Sequence, residues 1–117
     1  MLLNGGEING KRVFKWETIQ DFTAYHSSIS RRAYGFDKPE KDNATRQNPY
    51  PSALASPQTY GHTGFTGTCV WVDPKYNIVY IFLSSRVTPT RNNPRLGSYH
   101  IRENIQDAIY RAVGVAN

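Results

Sequence analysis

Gly61-His62-Thr63-Gly64-Phe65-Thr66-Gly67-Thr68, running into Cys69-Val70-Trp71-Val72-Asp73-Pro74, is the stretch that decides the fold of this chain. Three glycines and three threonines lie within eight residues, ahead of an apolar segment that closes on an Asp-Pro turn. Glycine lacks a Cβ, so another backbone or a ligand can approach the chain closely there. Threonine adds hydroxyls and keeps β propensity. The stretch reads as an active-site edge strand, polar where it enters and buried where it leaves.

Downstream, Ile78-Val79-Tyr80-Ile81-Phe82-Leu83 is a second strand, and Thr66–Val72 is its partner. The linker Asp73-Pro74-Lys75-Tyr76-Asn77 suits an antiparallel hairpin. Because Ile78–Leu83 is apolar at every position, it is expected to be covered on both faces. A loop over Thr88–Pro94 leads to a final helix, with Ser98 as its cap, Gly114 as its stop, and a stripe of Ile101, Ile105, Ala108, Ile109, Ala112 and Val113 against the sheet.

Upstream, Trp16, Ile19, Phe22 and Thr23 recur at helical spacing, which predicts a short amphipathic helix from Trp16 to about Tyr25. Arg32-Ala33-Tyr34-Gly35-Phe36 has strand composition. Glu40–Thr59 is polar and carries Pro49, Pro51 and Pro57, so it reads as a long loop lining whatever the edge strand faces. Leu2-Leu3 before Asn4-Gly5-Gly6 looks like the tail of a helix, which predicts a chain cut from a longer one. The fold class expected is α+β: an antiparallel sheet of about three strands with the C-terminal helix packed on it.

Composition narrows the function. At 117 residues and 38% hydrophobic content, the chain suits one domain with a modest core in which aromatics supply much of the packing. No apolar run approaches the ~20 residues of a membrane span, and the N-terminal apolar stretch is too short for a signal peptide. The formal charge is +5, but the basic residues are scattered, so no nucleic-acid partner is expected. One cysteine, Cys69, excludes an internal disulfide framework and a Cys-based zinc site; within an apolar strand it reads as a small buried hydrophobe. Three scattered histidines without carboxylate spacing argue against a metal site, and nothing calls for a cofactor. His26 and His100 are expected to be structural or exposed, and Arg86 to pair with an acid.

In this order the pieces resemble the C-terminal portion of the serine β-lactamase and penicillin-binding-protein-like hydrolases, in particular the esterase-related branch near class C. His62-Thr63-Gly64 matches the Lys-Thr-Gly or His-Thr-Gly motif of that group, and Phe65-Thr66-Gly67-Thr68, the Asp73-Pro74 turn, Ser85-Arg86-Val87, Asn92-Asn93 and the closing helix extend the match. The detail is similar to relatives in which this module follows a family-3 glycoside hydrolase in one envelope protein. The resemblance implies a single partial domain over residues 1–117 and a parent in the periplasm or cell envelope. The parent would act on an ester, peptide or other small acyl substrate.

It also implies roles. The Phe65 backbone N–H would be one of two oxyanion donors and His62 would shape the proton network, these being the catalytic residues; Thr63 and Gly64 would bind substrate. His62 stands where relatives often carry lysine, which tilts the reading from β-lactams toward esters or peptides. The family's Ser-x-x-Lys and Tyr-x-Asn (or Ser-x-Asn) motifs are absent from these residues, so the chain alone is expected to be inactive and to need the N-terminal part of its own domain. Against this stand two plainer readings. A histidine between Gly and Thr is ordinarily a hydrogen-bonded structural residue. The whole chain could equally be a non-catalytic interaction module that keeps the groove, and an exposed apolar face could pair two copies.

Overall fold

The computed structural model describes residues 1–115. A two-stranded hairpin of β1 (Glu7–Ile8) and β2 (Lys11–Arg12) precedes α1 (Trp16–Thr23). A second, antiparallel sheet holds β3 (Tyr60–Thr63), β4 (Cys69–Asp73) and β5 (Ile78–Phe82) in that spatial order. The short α2 (Arg95–Ser98) and the longer α3 (Ile101–Ala112) complete the elements. The expected α+β architecture is therefore present: three strands and a packed C-terminal helix.

Register explains which side chains are buried. Trp71 pairs with Gly61 and Tyr80, and Cys69 with Thr63 and Phe82, so these share the face that α3 covers. Cys69, Trp71, Ile78, Tyr80 and Tyr110 form the core cluster, with Tyr50 edge-on to the Trp71 ring at 5.5 Å. Gly61 is required here because a Cβ would run into the Val70 carbonyl and Trp71. The close approach anticipated at the glycines is thus made by the neighbouring strand. Cys69 is buried, and burial pushes its thiol up, as befits a packing residue.

Four expectations of detail are corrected. First, β5 is covered on one face only: Val79, Ile81 and Leu83 point away from α3 and are exposed, Leu83 by 78%. Alternation turns all three to the face opposite Tyr80, together with Val70. Substituting Ile81→Thr or Leu83→Ser should therefore change stability by no more than about 0.5 kcal/mol in urea unfolding.

Second, α3 turns Gln106 and Tyr110 into the core, while Ile105, Ala108, Ala112 and Val113 remain exposed. Hydrogen bonds win over the aliphatic stripe. Tyr110 Oη donates to Asp73 Oδ2 at 2.7 Å, Tyr80 Oη donates to the Arg102 carbonyl at 3.2 Å, and Ser52 Oγ bonds Asp107. Third, Ser98 ends α2, and α3 begins after His100, whose left-handed φ of 49° lets the chain turn between the two helices. Fourth, Arg32–Phe36 is a tight turn closed by a single Arg32–Asp37 bridge, and Thr66–Thr68 belongs to the β3–β4 turn.

The Glu40–Thr59 segment lacks helix and strand yet is firmly packed. Asn43 Nδ2 donates to the Ser52 carbonyl at 2.6 Å, and the Tyr50 N–H donates to Asn43 Oδ1 at 2.8 Å. Ser56 donates to the Asp73 carboxylate through its N–H at 2.9 Å and its Oγ at 2.6 Å. At the N-terminus, Gly6 N–H donates to the Met1 carbonyl and Gly5 N–H to the Leu2 carbonyl, both at 3.1 Å. These are the 6→1 and 5→2 bonds of a helix C-terminal motif, as the Asn-Gly-Gly pattern suggests.

Candidate active site

The predicted site residues lie together at the end of β3. Strand alternation sends His62 to the face shared with Val70 and Ile81, and Thr63 to the core face opposite Cys69. His62 is exposed and Thr63 half-buried. Gly64 N–H donates across the turn to the Thr68 carbonyl at 2.8 Å and Gly67 N–H to the Gly64 carbonyl at 3.0 Å, so the turn is closed by its own backbone. Gly67 takes a φ of 93° and a Cβ there would meet Leu96 and Ser84, which fixes glycine at this position.

The outer edge of β3 is paired at one end and ends in a turn. Gly61 exchanges two backbone bonds with Asp37, at 2.7 and 2.9 Å, so its backbone N–H and C=O point outward from the sheet edge, and by alternation so do those of Thr63. Phe65, just past the strand end, has a 69% exposed side chain. Its N–H has no hydrogen-bond acceptor among the described residues. An unspent backbone donor beside a pinned turn is a fixed dipole ready for an anionic oxygen.

Arg32 is the residue that sequence reasoning missed. Its Nη1 lies 3.1 Å from His62 Nε2, and its Nε lies 3.0 Å from Asp37 Oδ1, an ionic contact without hydrogen-bond geometry. Arg31 holds the other Asp37 oxygen at 3.3 Å. Arginine can only donate, so His62 Nε2 must accept; the ring proton then sits on Nδ1, which lies 2.7 Å from the Thr63 carbonyl. The arrangement selects one tautomer. Long-range ¹H–¹⁵N spectra should show His62 as the Nδ1–H form, and Arg32→Ala should shift it toward Nε2–H. Thirty residues separate the pair in sequence, so no spacing rule could have joined them; only the Asp37–Gly61 bridge does.

Arg86 pairs with no acid among the described residues. Its guanidinium lies 5.2 Å from the Phe65 ring centre, and the Arg86 backbone N–H donates to the Thr66 carbonyl at 3.0 Å, so the residue braces the turn instead. His26 stacks on Tyr34 at 3.9 Å, away from the strand end. No group of three metal-ligating side chains occurs among the described residues, and no helix there is long and apolar enough to cross a membrane.

Comparison with known proteins places the chain in a family. The chain is 37% identical over 99 residues to an Escherichia coli K12 protein named "Putative D-alanyl-D-alanine carboxypeptidase"; the match takes in 81% of the chain and 22% of that protein. A Salmonella enteritidis protein of the same name is 34% identical over 96 residues, again with 22% of its length covered. The chain therefore spans 22% of the length of these curated relatives. The Beta-lactamase family model matches residues 17–102, from the start of α1 through the three-stranded sheet to the first turn of α3. With most of its length and its edge strand inside that match, the chain belongs to the Beta-lactamase family of serine hydrolases.

Proposed function

We propose that this chain forms the edge-strand side of the active site of a serine acyl hydrolase, which cleaves an ester, amide or β-lactam bond through a serine acyl-enzyme. The observation that carries the reading is the unspent Phe65 N–H at the end of the strand bearing His62-Thr63-Gly64. When a nucleophile adds to the substrate carbonyl, negative charge collects on its oxygen, and a preorganised N–H there stabilises the transition state by ~3–4 kcal/mol. The second oxyanion donor, the serine and its base belong to the Ser-x-x-Lys and Tyr-x-Asn motifs. Neither motif occurs in these 117 residues. The rest of the longer protein supplies them, and the chain alone is inactive, one part of a single domain.

His62, held as an Nδ1–H tautomer by Arg32, stands where relatives often place a lysine. The names of the relatives favour a peptide substrate. Thr63 and Gly64 bind the substrate at the end of β3, Thr63 from the Cys69 face and Gly64 by its small size. A cell-envelope location follows from the same family reading.

Turnover of a p-nitrophenyl ester and of a peptide ending in D-alanyl-D-alanine tests this. The longer protein should process at least one of them, His62→Ala should slow it roughly 10²-fold or more, in the range of general acid–base groups, and the 117-residue chain should process neither. A longer protein with no turnover of either substrate would instead support a non-catalytic module.

A further inference from the structure

Asp37 buries a carboxylate where the backbone does not call for one. Its side chain is 5% exposed, and taking a carboxylate out of water is costly unless opposite charge replaces the water. The turn it closes is already tied by main-chain bonds. Ala33 N–H donates to the Phe36 carbonyl at 2.9 Å, Lys38 N–H to the Arg31 carbonyl at 3.2 Å, and Asp37 and Gly61 bond each other twice. That closure needs no carboxylate.

The two Asp37 oxygens face two arginines. Arg31 Nη2 lies 3.3 Å from Oδ2. Arg31 is itself held, its Nη1 donating to the Lys38 carbonyl at 2.9 Å and its Nε lying 3.4 Å from Glu40 Oε1. Oδ1 lies 3.0 Å from Arg32 Nε, on a side chain that is otherwise 59% exposed. A guanidinium is planar, so holding Nε also sets the direction in which Nη1 donates. That direction ends on His62 Nε2, at 3.1 Å. Support therefore passes from Arg31 through Asp37 and Arg32 to His62, from the buried side to the exposed one.

We propose that Asp37 is a positioning residue, which through Arg32 sets the tautomer and ring orientation of His62. With the Asp37 charge removed, Arg32 turns to solvent. His62 Nε2 then loses its donor and takes the proton that Nδ1 carries while Arg32 donates. The tautomer effect belongs to the chain alone, and its consequence for turnover rests on the function proposed above.

Long-range ¹H–¹⁵N spectra of the chain test this. Asp37→Asn keeps the side-chain shape and the backbone pairing, and should raise the His62 Nε2–H to Nδ1–H ratio about tenfold, as loss of a charge-assisted bond requires. Added to Arg32→Ala it should change nothing further, because both variants act on one contact. Glu40→Gln removes the same charge from the far side of Arg31 and should leave the tautomer where it is. In the natural chain the Arg32 guanidinium, held at both ends, should rotate slowly about Nε–Cζ. In the longer protein Asp37→Asn should lower kcat roughly tenfold with little change in KM, and cost nothing more beside His62→Ala. An unchanged tautomer in Asp37→Asn, additive effects with Arg32→Ala, an equal shift from Glu40→Gln, or a freely rotating Arg32 would overturn the proposal. A longer protein without turnover would remove the acyl-hydrolase reading and leave the tautomer results to decide on Asp37. Should Asp37→Asn fail to fold, the rotation of Arg32 decides together with Asp37→Glu, which keeps the charge, moves it off Arg32 Nε, and should shift the tautomer in the same sense.

Discussion

Replacing Asp73 by alanine is expected to cost about 4 kcal/mol, the largest loss from any single polar substitution in the chain. The Asp73 carboxylate accepts from the Ser56 N–H and Oγ, from Tyr110 Oη and, at 3.1 Å, from the Lys75 N–H. It joins the Glu40–Thr59 segment, β4 and α3 at one buried point. Removing it leaves three buried donors without an acceptor, and the urea midpoint should fall accordingly. Asp73→Asn keeps the volume and part of the bonding and should lose less.

The same residue sets a pH dependence. Burial acts to raise the Asp73 carboxyl, but the hydrogen bonds from Ser56 and Tyr110 outweigh it and hold the group below its ordinary value. The folded state thus binds this proton less readily than the unfolded state does. The stability it contributes is present above the unfolded value of about 3.9 and is lost as pH falls through the lower folded value. Unfolding midpoints followed from neutral pH downward should decline below about pH 4 in the natural chain, and less steeply in Asp73→Asn.

The second large effect concerns catalysis in the longer protein. Phe65→Pro deletes one backbone N–H, and under the proposed function it should lower kcat about 10²–10³-fold with little change in KM. Phe65→Ala keeps the N–H and removes only the ring that Arg86 covers, so its kcat should fall far less. Equal losses in the two variants would assign the effect to the side chain, and would remove Phe65 from the oxyanion role.

The elements that sequence made legible are those whose information is local. The Asp73-Pro74 hairpin, the helix stop at Gly114 and the helical spacing of Trp16, Ile19 and Thr23 each depend on neighbours within a few residues, and each is found where the pattern puts it. What escaped is what long-range packing decides. The burial of Tyr110 on α3 follows from a partner far along the chain, Asp73. The one-sided cover of β5 depends on what lies over the sheet, which an apolar run cannot reveal. At the proposed site, His62, Thr63, Gly64 and Phe65 were singled out because four adjacent residues carry the motif. Arg32 was not, because its contact with His62 spans thirty residues and leaves no local pattern.

The account stands or falls on where the acyl group goes. The longer protein and the 117-residue chain should each be incubated with a slowly hydrolysed acylating ester and with benzylpenicillin, then weighed intact and digested by peptide. The account predicts one acyl adduct on the longer protein with at least one of the two reagents, on a serine of a Ser-x-x-Lys motif outside these residues, formed about 10²-fold more slowly in Phe65→Pro. It predicts none on the chain by itself. An adduct on a serine within the chain, or a longer protein that is never acylated by either reagent, would contradict it.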